Sequence, residues 1–183
     1  MSRNYLQRMR SKDIRPSRKP VNKILWSVIG SFAGIYIMSI FTRLFSIHDS
    51  FFLLGSFGAS AVLVYGAPEV PFSQPRNLIG GHVLSAFISV FLVKNFGNVL
   101  DLDMLCALSV GLSVLVMHLT VTMHPPVGAT ALIYVIGSEH IRSLGWAYPL
   151  TPIALGAFIM LLIALLVNNM SNNIKRHYPV YWY

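Results

Sequence analysis

The sequence predicts an all-α membrane protein of about six helical segments in a 3+3 inverted repeat, two of the segments being short or broken. Composition gives the class. Of 183 residues, 55% are hydrophobic and 11% charged, against about 25% charged in ordinary soluble domains, which leaves too little charge to cover a soluble surface. Length gives the elements, because the apolar residues fall in runs that approach the ~20 residues a helix needs to cross a bilayer. Internal similarity gives the arrangement: a short segment of the first half recurs in the second.

Residues 1–23 read as a basic cytoplasmic tail. Arg3, Arg8, Arg10, Lys12, Arg15, Arg18, Lys19 and Lys23 all lie there. A basic stretch directly before an apolar run is what the positive-inside rule places in the cytoplasm, in contact with anionic lipid. The net charge of +8 is therefore not a nucleic-acid footprint, since aromatic residues and glycines are not interleaved with the basic ones as in single-strand binders. An Arg-rich, acid-poor organellar transit peptide is the other reading of this stretch.

The transmembrane domain is expected over residues 24–170. Its first run covers about residues 24–45, with Arg43 placed to snorkel. After His48-Asp49-Ser50, a shorter run rich in small residues covers 51–67 and is closed by Pro68, Pro71 and Pro75. A third run covers 77–96, and a fourth covers 102–123, stopped by Pro125 and Pro126. The fifth, 127–137, amounts to ~16 Å of helix, half a bilayer. The last, 150–167, precedes Lys175 and Arg176, so residues 171–183 read as a second cytoplasmic tail. Both termini on one side require an even number of crossings. Six put Asp49, Asp101, Asp103 and Glu139 outside and Arg76 inside; four, with re-entrant short segments, put Arg76 outside. The expected location is a bacterial inner (plasma) membrane. Cys106, inside an apolar run, implies neither a disulfide nor a zinc site.

The two short segments align without gaps: Gly58-Ala59-Ser60-Ala61-Val62-Leu63 on Gly128-Ala129-Thr130-Ala131-Leu132-Ile133, 70 residues apart, an offset that also pairs Glu69 with Glu139. Each copy is the middle element of three, so the second half is expected upside down relative to the first, with a transport site where the broken helices meet. Small residues also recur in membrane helices simply because they let backbones approach closely. What favours the repeat is that both copies sit in the short segment of their half.

Each copy has a helix-breaking approach, Gly55-Ser56-Phe57 in one and His124-Pro125-Pro126 in the other. If both short helices start near the midplane, their N-termini oppose each other and converge free N–H groups and partial positive charge on one spot, an anion site. Ser56, Ser60 and Thr130 add hydroxyls, while Gly58, Ala59, Gly128 and Ala129 leave the backbone open. His124 is an ionisable group at membrane depth, able to donate to an anion or to exchange an accompanying proton. The duller reading is a histidine that only bonds a neighbouring helix. His82 and His118 carry the same two readings as pathway or gating residues, and Arg76 is either a topological charge or an attractor at a pore mouth. His118 and His124 are six apart and do not share a helix face, so no metal is expected, and no cofactor. No nucleophile elbow, phosphate loop or HExxH motif is present. An enzyme built on His118, His124 and Glu139 is the minority reading.

At these residues the chain resembles the HPP family of small integral membrane proteins, named for the tripeptide standing here as His124-Pro125-Pro126. The resemblance covers about residues 25–167. It rests on Gly55-Ser56-Phe57-Gly58-Ala59-Ser60-Ala61, Gly66-Ala67-Pro68, Gln74-Pro75-Arg76-Asn77, Gly80-Gly81-His82, and the run from His124 to Ala131. It implies about four spanning helices and transport, with nitrite, linked to plastid and cyanobacterial members, as the named substrate. This sequence carries no soluble domain after the last span, so regulation through one is not expected. The expected function is thus a transporter or channel for a small anion such as nitrite. The alternative is a non-transporting subunit that packs on a partner protein through its small-residue faces. The expected partners are the lipid bilayer, the anion and further copies of the chain, with no nucleic acid.

Overall fold

The computed structural model describes residues 17–44 and 50–183. Most of the basic tail, and Asp49, lie outside the described residues. Within them the regular structure is all helical: α1 (Val21–Leu44), α2 (Ser50–Gly66), α3 (Pro75–Phe96), α4 (Leu102–Thr120), α5 (Val127–Ile136), α6 (Glu139–Ser143) and α7 (Leu155–Asn169). Among the described residues, four stretches are long and apolar enough to cross a membrane: Val21–Arg43, Pro75–Phe96, Leu102–Thr120 and Gly145–Asn169. The order long, short, long therefore occurs twice, with α2 and α5 as the short members. That order alone does not make one half the inverse of the other.

Local chemistry sets the boundaries. Pro75 opens α3 where a missing N–H costs nothing. Asp101 caps α4 by accepting from Met104 N at 2.8 Å. The helix ends at Val121, in the left-handed region (φ 55, ψ 42), while the Thr122 N–H returns to Met117 O at 2.9 Å, closing a Schellman motif. A β-branched residue in that conformation costs about 1–2 kcal/mol. Val121 is also exposed. Val121→Gly is therefore expected to raise the melting temperature in detergent, by the equivalent of about 1 kcal/mol; an unchanged or lower value would show that packing, not conformation, holds this turn. The final span bends at its start, where Ile153 N–H reaches back five residues to Tyr148 O at 3.3 Å and Thr151 is extended, because Pro152 has no N–H to give.

Hydrogen bonds bring five helix ends together. Lys23 of α1 bonds Glu69, just beyond α2, at 2.5 Å. Arg76 at the start of α3 donates to Thr120 O at the end of α4, 2.6 Å away. Arg176, beyond α7, donates to Tyr65 O and to Lys23 O. At the other end Gly145 lies against Lys94. The chain thus runs up and down the bundle, with the described termini and Arg76 at one end, as six crossings require. The outer face of α1 presents Val21, Leu25, Val28, Phe32 and Tyr36, all exposed, a stripe that suits lipid contact.

Glu69 shows the charge balance at the terminus-bearing end. Burial alone would raise its carboxyl, but the Lys23 hydrogen bond, its own backbone bond and the charges of Lys23 and Lys19 hold it below the usual carboxylate range. A depressed folded pKa stabilises above the unfolded value and is lost as pH falls through the folded one. The Glu69 side chain is 36% exposed, so solvent screening limits the pair to about 0.2–1 kcal/mol. Acidification from pH 6 to pH 3 is expected to lower the melting temperature of the native chain slightly more than that of Glu69→Gln; parallel curves would show the pair is neutral.

Residues 171–183, expected as a tail, fold back across this end. Tyr178 donates its hydroxyl to Ser73 O at 2.8 Å, and Val180 N–H bonds Gln74 Oε1 at 2.8 Å. The fully buried Arg176 donates to Lys23 O, Ser27 Oγ, Tyr65 O and Asn168 Oδ1 at 2.7 to 3.2 Å. Close approach is carried by glycine: a Cβ on Gly34 would meet the Tyr65 ring at 2.5 Å, and one on Gly156 would meet Phe57 at 2.5 Å.

Candidate functional site

Among the buried polar residues, one set stands together where α2, α3 and α5 meet the turn before α5. There Ser56, Ser60, His82, His124 and Thr130 are each buried to 1% exposure or less. They form one continuous chain of hydrogen bonds. Ser56 Oγ lies 2.7 Å from Thr130 Oγ1, and Thr130 Oγ1 lies 2.8 Å from His82 Nδ1. His82 Nε2 lies 2.9 Å from Ser60 Oγ, and Ser60 Oγ lies 3.0 Å from His124 Nε2. His124 Nδ1 ends the chain on Phe72 O at 2.7 Å. Polar groups at membrane depth must be satisfied within the protein, and these satisfy one another.

Each element positions its member for a local reason. The prolines at 125 and 126 cannot continue α4, so the chain turns and starts α5 inside the bundle, with His124 tucked beneath. The absent side chain of Gly81 makes room: a Cβ there would stand 2.9 Å from His124 Cβ. Phe57 lies on His82, ring centroids 5.0 Å apart, and the His82 and His124 rings are 5.3 Å apart. Tyr148 donates to Thr130 O at 2.9 Å, and Asn77 donates to Met123 O at 2.8 Å, which holds the turn from both sides.

Of the expected site residues, Ser56, Ser60, His82, His124 and Thr130 come together. Gly58 and Gly128 are half-buried and Ala129 likewise. Ala59 faces an apolar groove beside Val62, Pro125 and Pro126 and not the polar chain. His118 is exposed on the outer side of α4, away from the cluster, because the buried stripe of that helix runs through Leu105, Ser109, Ser113 and Met117. Arg76 is exposed and tied to Thr120 O. Glu139 opens α6 near the opposite end. Among the described residues no group of three or more His, Cys, Asp or Glu could hold a metal.

The opposed helix starts are a correction. α2 runs unbroken for 17 residues through Gly55, Gly58 and Ser60, so only α5 begins at its copy of the repeat. Even there the first amides are occupied: Val127, Gly128 and Ala129 N–H reach His124, Pro125 and Pro126 O at 3.1, 3.5 and 3.2 Å. The polar groups on offer are hydroxyls and imidazoles, not bare backbone. Depth also shifts. His82 lies seven residues into α3, ~10 Å from its start, whereas Ser56 lies ten residues from the end of α2, ~15 Å. The chain of bonds therefore climbs from the terminus-bearing end at Phe72 to mid-depth at Ser56.

Sequence reasoning missed Phe72 O, Tyr148 and Asn77 as partners. It also missed Ser85 and Ser109, buried hydroxyls without a hydrogen-bond partner. Ser85 stands three residues beyond His82, one helical turn, and that spacing was the available signal.

Comparison with known proteins places this architecture. The chain is 41% identical over 181 residues to one transmembrane protein of Dictyostelium discoideum, covering 98% of this chain and 57% of that protein. It is 44% identical over 174 residues to a second, covering 94% and 60%. The chain thus spans about three-fifths of the length of the curated relatives it matches. No solved structure matches it. The family model described as the HPP transmembrane region matches residues 16–179, taking in every helix and all five members of the buried chain. With that match and that identity, this protein belongs to the HPP transmembrane family.

Proposed function

We propose that the chain is a membrane transporter for a small anion, nitrite being the first candidate, and not an enzyme. One observation carries this reading: a set of hydroxyl and imidazole groups, buried between helices at a helix break and joined in one hydrogen-bonded chain. Ionisable groups at membrane depth are rare and mark substrate, ion or proton pathways, and with their N–H and O–H groups turned to a ligand these suit an anion. The described conformation is closed, each donor bonded to its neighbour, so binding requires α2 or α5 to shift and release them. The two long-short-long halves support rocking of one against the other. The terminus-bearing end, with Lys19, Lys23, Arg76 and Arg176, reads as cytoplasmic by charge. The relatives are from a eukaryote and do not support a bacterial plasma membrane in particular. The exposed small-residue face of α2, with nothing within 4 Å of a Cβ at Gly55, Gly58 or Gly66, supports close packing against a further copy.

The test is nitrite uptake into proteoliposomes of the purified chain, with nitrate, formate and chloride as competitors. Uptake above empty vesicles, lowered at least about tenfold in His124→Ala, is the expected result, the loss of one charge-assisted hydrogen bond being worth about that much. No flux of any of these anions, at several pH values and both signs of membrane potential, would replace this reading with a packing subunit.

A further inference from the structure

The hydrogen-bond chain has a direction, and the direction follows from its last link. Phe72 O can only accept, so His124 Nδ1 carries a proton and donates to it. In a neutral ring His124 Nε2 then accepts, so Ser60 donates its one hydroxyl proton there. Ser60 must in turn accept from His82 Nε2–H. His82 Nδ1 is then bare and accepts from Thr130, and Thr130 accepts from Ser56. The alternative use of the Ser60 proton, on Ser56 O, is longer at 3.3 Å. Every bond has one proton, and the arrangement is the only neutral one that satisfies the five.

A second arrangement exists with one proton more. If His124 holds protons on both nitrogens, its Nε2–H donates to Ser60, Ser60 donates to His82 Nε2, His82 carries its proton on Nδ1 and donates to Thr130, and Thr130 donates to Ser56. The four links from His124 Nε2 to Ser56 are reversed without moving a heavy atom, and the bond to Phe72 O is unchanged. The balance is simple: one proton enters at Ser56, the Ser56 proton passes to Thr130 and the Thr130 proton to His82 Nδ1, His82 gives its Nε2 proton to Ser60, and Ser60 gives its own to His124 Nε2, which leaves the Ser56 O–H, no longer needed by Thr130, free to donate at mid-depth. The two rings face each other, and Tyr148 stands behind Thr130 with its hydroxyl on Thr130 O. α2 brings Ser56, Phe57 and Ser60 to the cluster and α5 brings Thr130. Of the charged groups at the terminus-bearing end, Lys19 bonds Gly66 O, Lys23 bonds Glu69, Arg76 bonds Thr120 O and Arg176 bonds Tyr65 O.

We propose that the Ser56–Thr130–His82–Ser60–His124 chain is a proton relay, and that it couples the anion to one proton moving in the same direction. This rests on the transport reading for the identity of the cargo. Loading the proton makes Ser56 a donor toward an anion and places a positive ring in the site to balance its charge, so proton and anion favour each other. At about the depth of Ser56, the hydroxyls of Ser85 in α3 and Ser109 in α4 are also buried and without a hydrogen-bond partner.

The test uses proteoliposomes of the whole chain with potential clamped at zero, an imposed pH gradient, a trapped pH dye and external nitrite, empty vesicles being subtracted. The expected result is nitrite uptake at least about tenfold faster down the proton gradient than against it, with one proton entering per nitrite. His82→Gln, which cannot shift a proton between two ring nitrogens, loses the proton movement. Ser56→Ala, a smaller change at the end of the chain, loses the coupling ratio and guards against a folding defect in the histidine variant. Nitrite uptake indifferent to the gradient and without proton entry would overturn the relay and leave the transport reading intact. No nitrite flux would overturn the transport reading. Gradient collapse in the same vesicles then judges the relay alone: faster than empty vesicles and dependent on His82 keeps it, and equal to empty vesicles overturns it.

Discussion

Arg176→Ala is expected to destabilise the chain by about 1–3 kcal/mol, the range for leaving buried acceptors without their donor. The guanidinium is fully buried and serves four acceptors on three helices: Lys23 O and Ser27 Oγ of α1, Tyr65 O of α2 and Asn168 Oδ1 of α7. Tyr65 O is among the last carbonyls of α2, where a helix presents its negative end and favours a cation. Alanine would leave Tyr65 O and Asn168 Oδ1 without this donor in a place water does not reach, while Lys23 O keeps the Ser27 hydroxyl. Arg176→Lys keeps the charge but not the planar fork, and should fall between. Thermal melts in detergent, followed by tryptophan fluorescence, decide the matter; an alanine variant that melts with the native chain would show that the folded-back terminus holds nothing together.

Thr130→Val, nearly the same shape, is expected to cut nitrite uptake at least about tenfold, equivalent to about 1.4 kcal/mol in the barrier. The hydroxyl it removes bonds both Ser56 and His82, so one substitution opens the chain at two links. Leaving two buried partners unmatched should also cost about 1–3 kcal/mol of stability. Thr130→Ser restores the hydroxyl and should restore uptake. Initial rates and melts measured on the same preparations separate the effects. Native uptake in the valine variant would remove the cluster from the transport path.

The spans, the two short segments and the pairing of Ser60 with Thr130 in one cluster were legible because apolar runs and proline breaks are strong signals. The second proline-marked break was read rightly for that reason. The first was not: Gly55 and Gly58 cost a helix only about 1 kcal/mol each relative to alanine, while proline costs about 3, so α2 continues through them. Residue type could flag His82 and His124 but not their order, since the chain from Ser56 to Phe72 O joins residues from across the sequence. Arg176 was read as an orientation charge because a basic residue after a last span ordinarily is one. Its burial depends on carbonyls of α1 and α2, and backbone acceptors leave no mark in a sequence.

The brevity of α5 bears on how the protein is made. Ten residues, Val127–Ile136, give ~15 Å of helix against a hydrocarbon core of about 30 Å, and the turn before them exposes backbone that lipid cannot satisfy. Such a segment has no stable resting place in the bilayer by itself. Its insertion at the translocon must therefore wait for neighbours: α3 and α4, which pack on it, already made, and the final span, whose Tyr148 bonds Thr130 O, still to emerge. Assembly of this half is consequently a collective late event in synthesis, and a ribosome stalled before residue 148 should leave α5 accessible to aqueous labelling that the finished protein excludes.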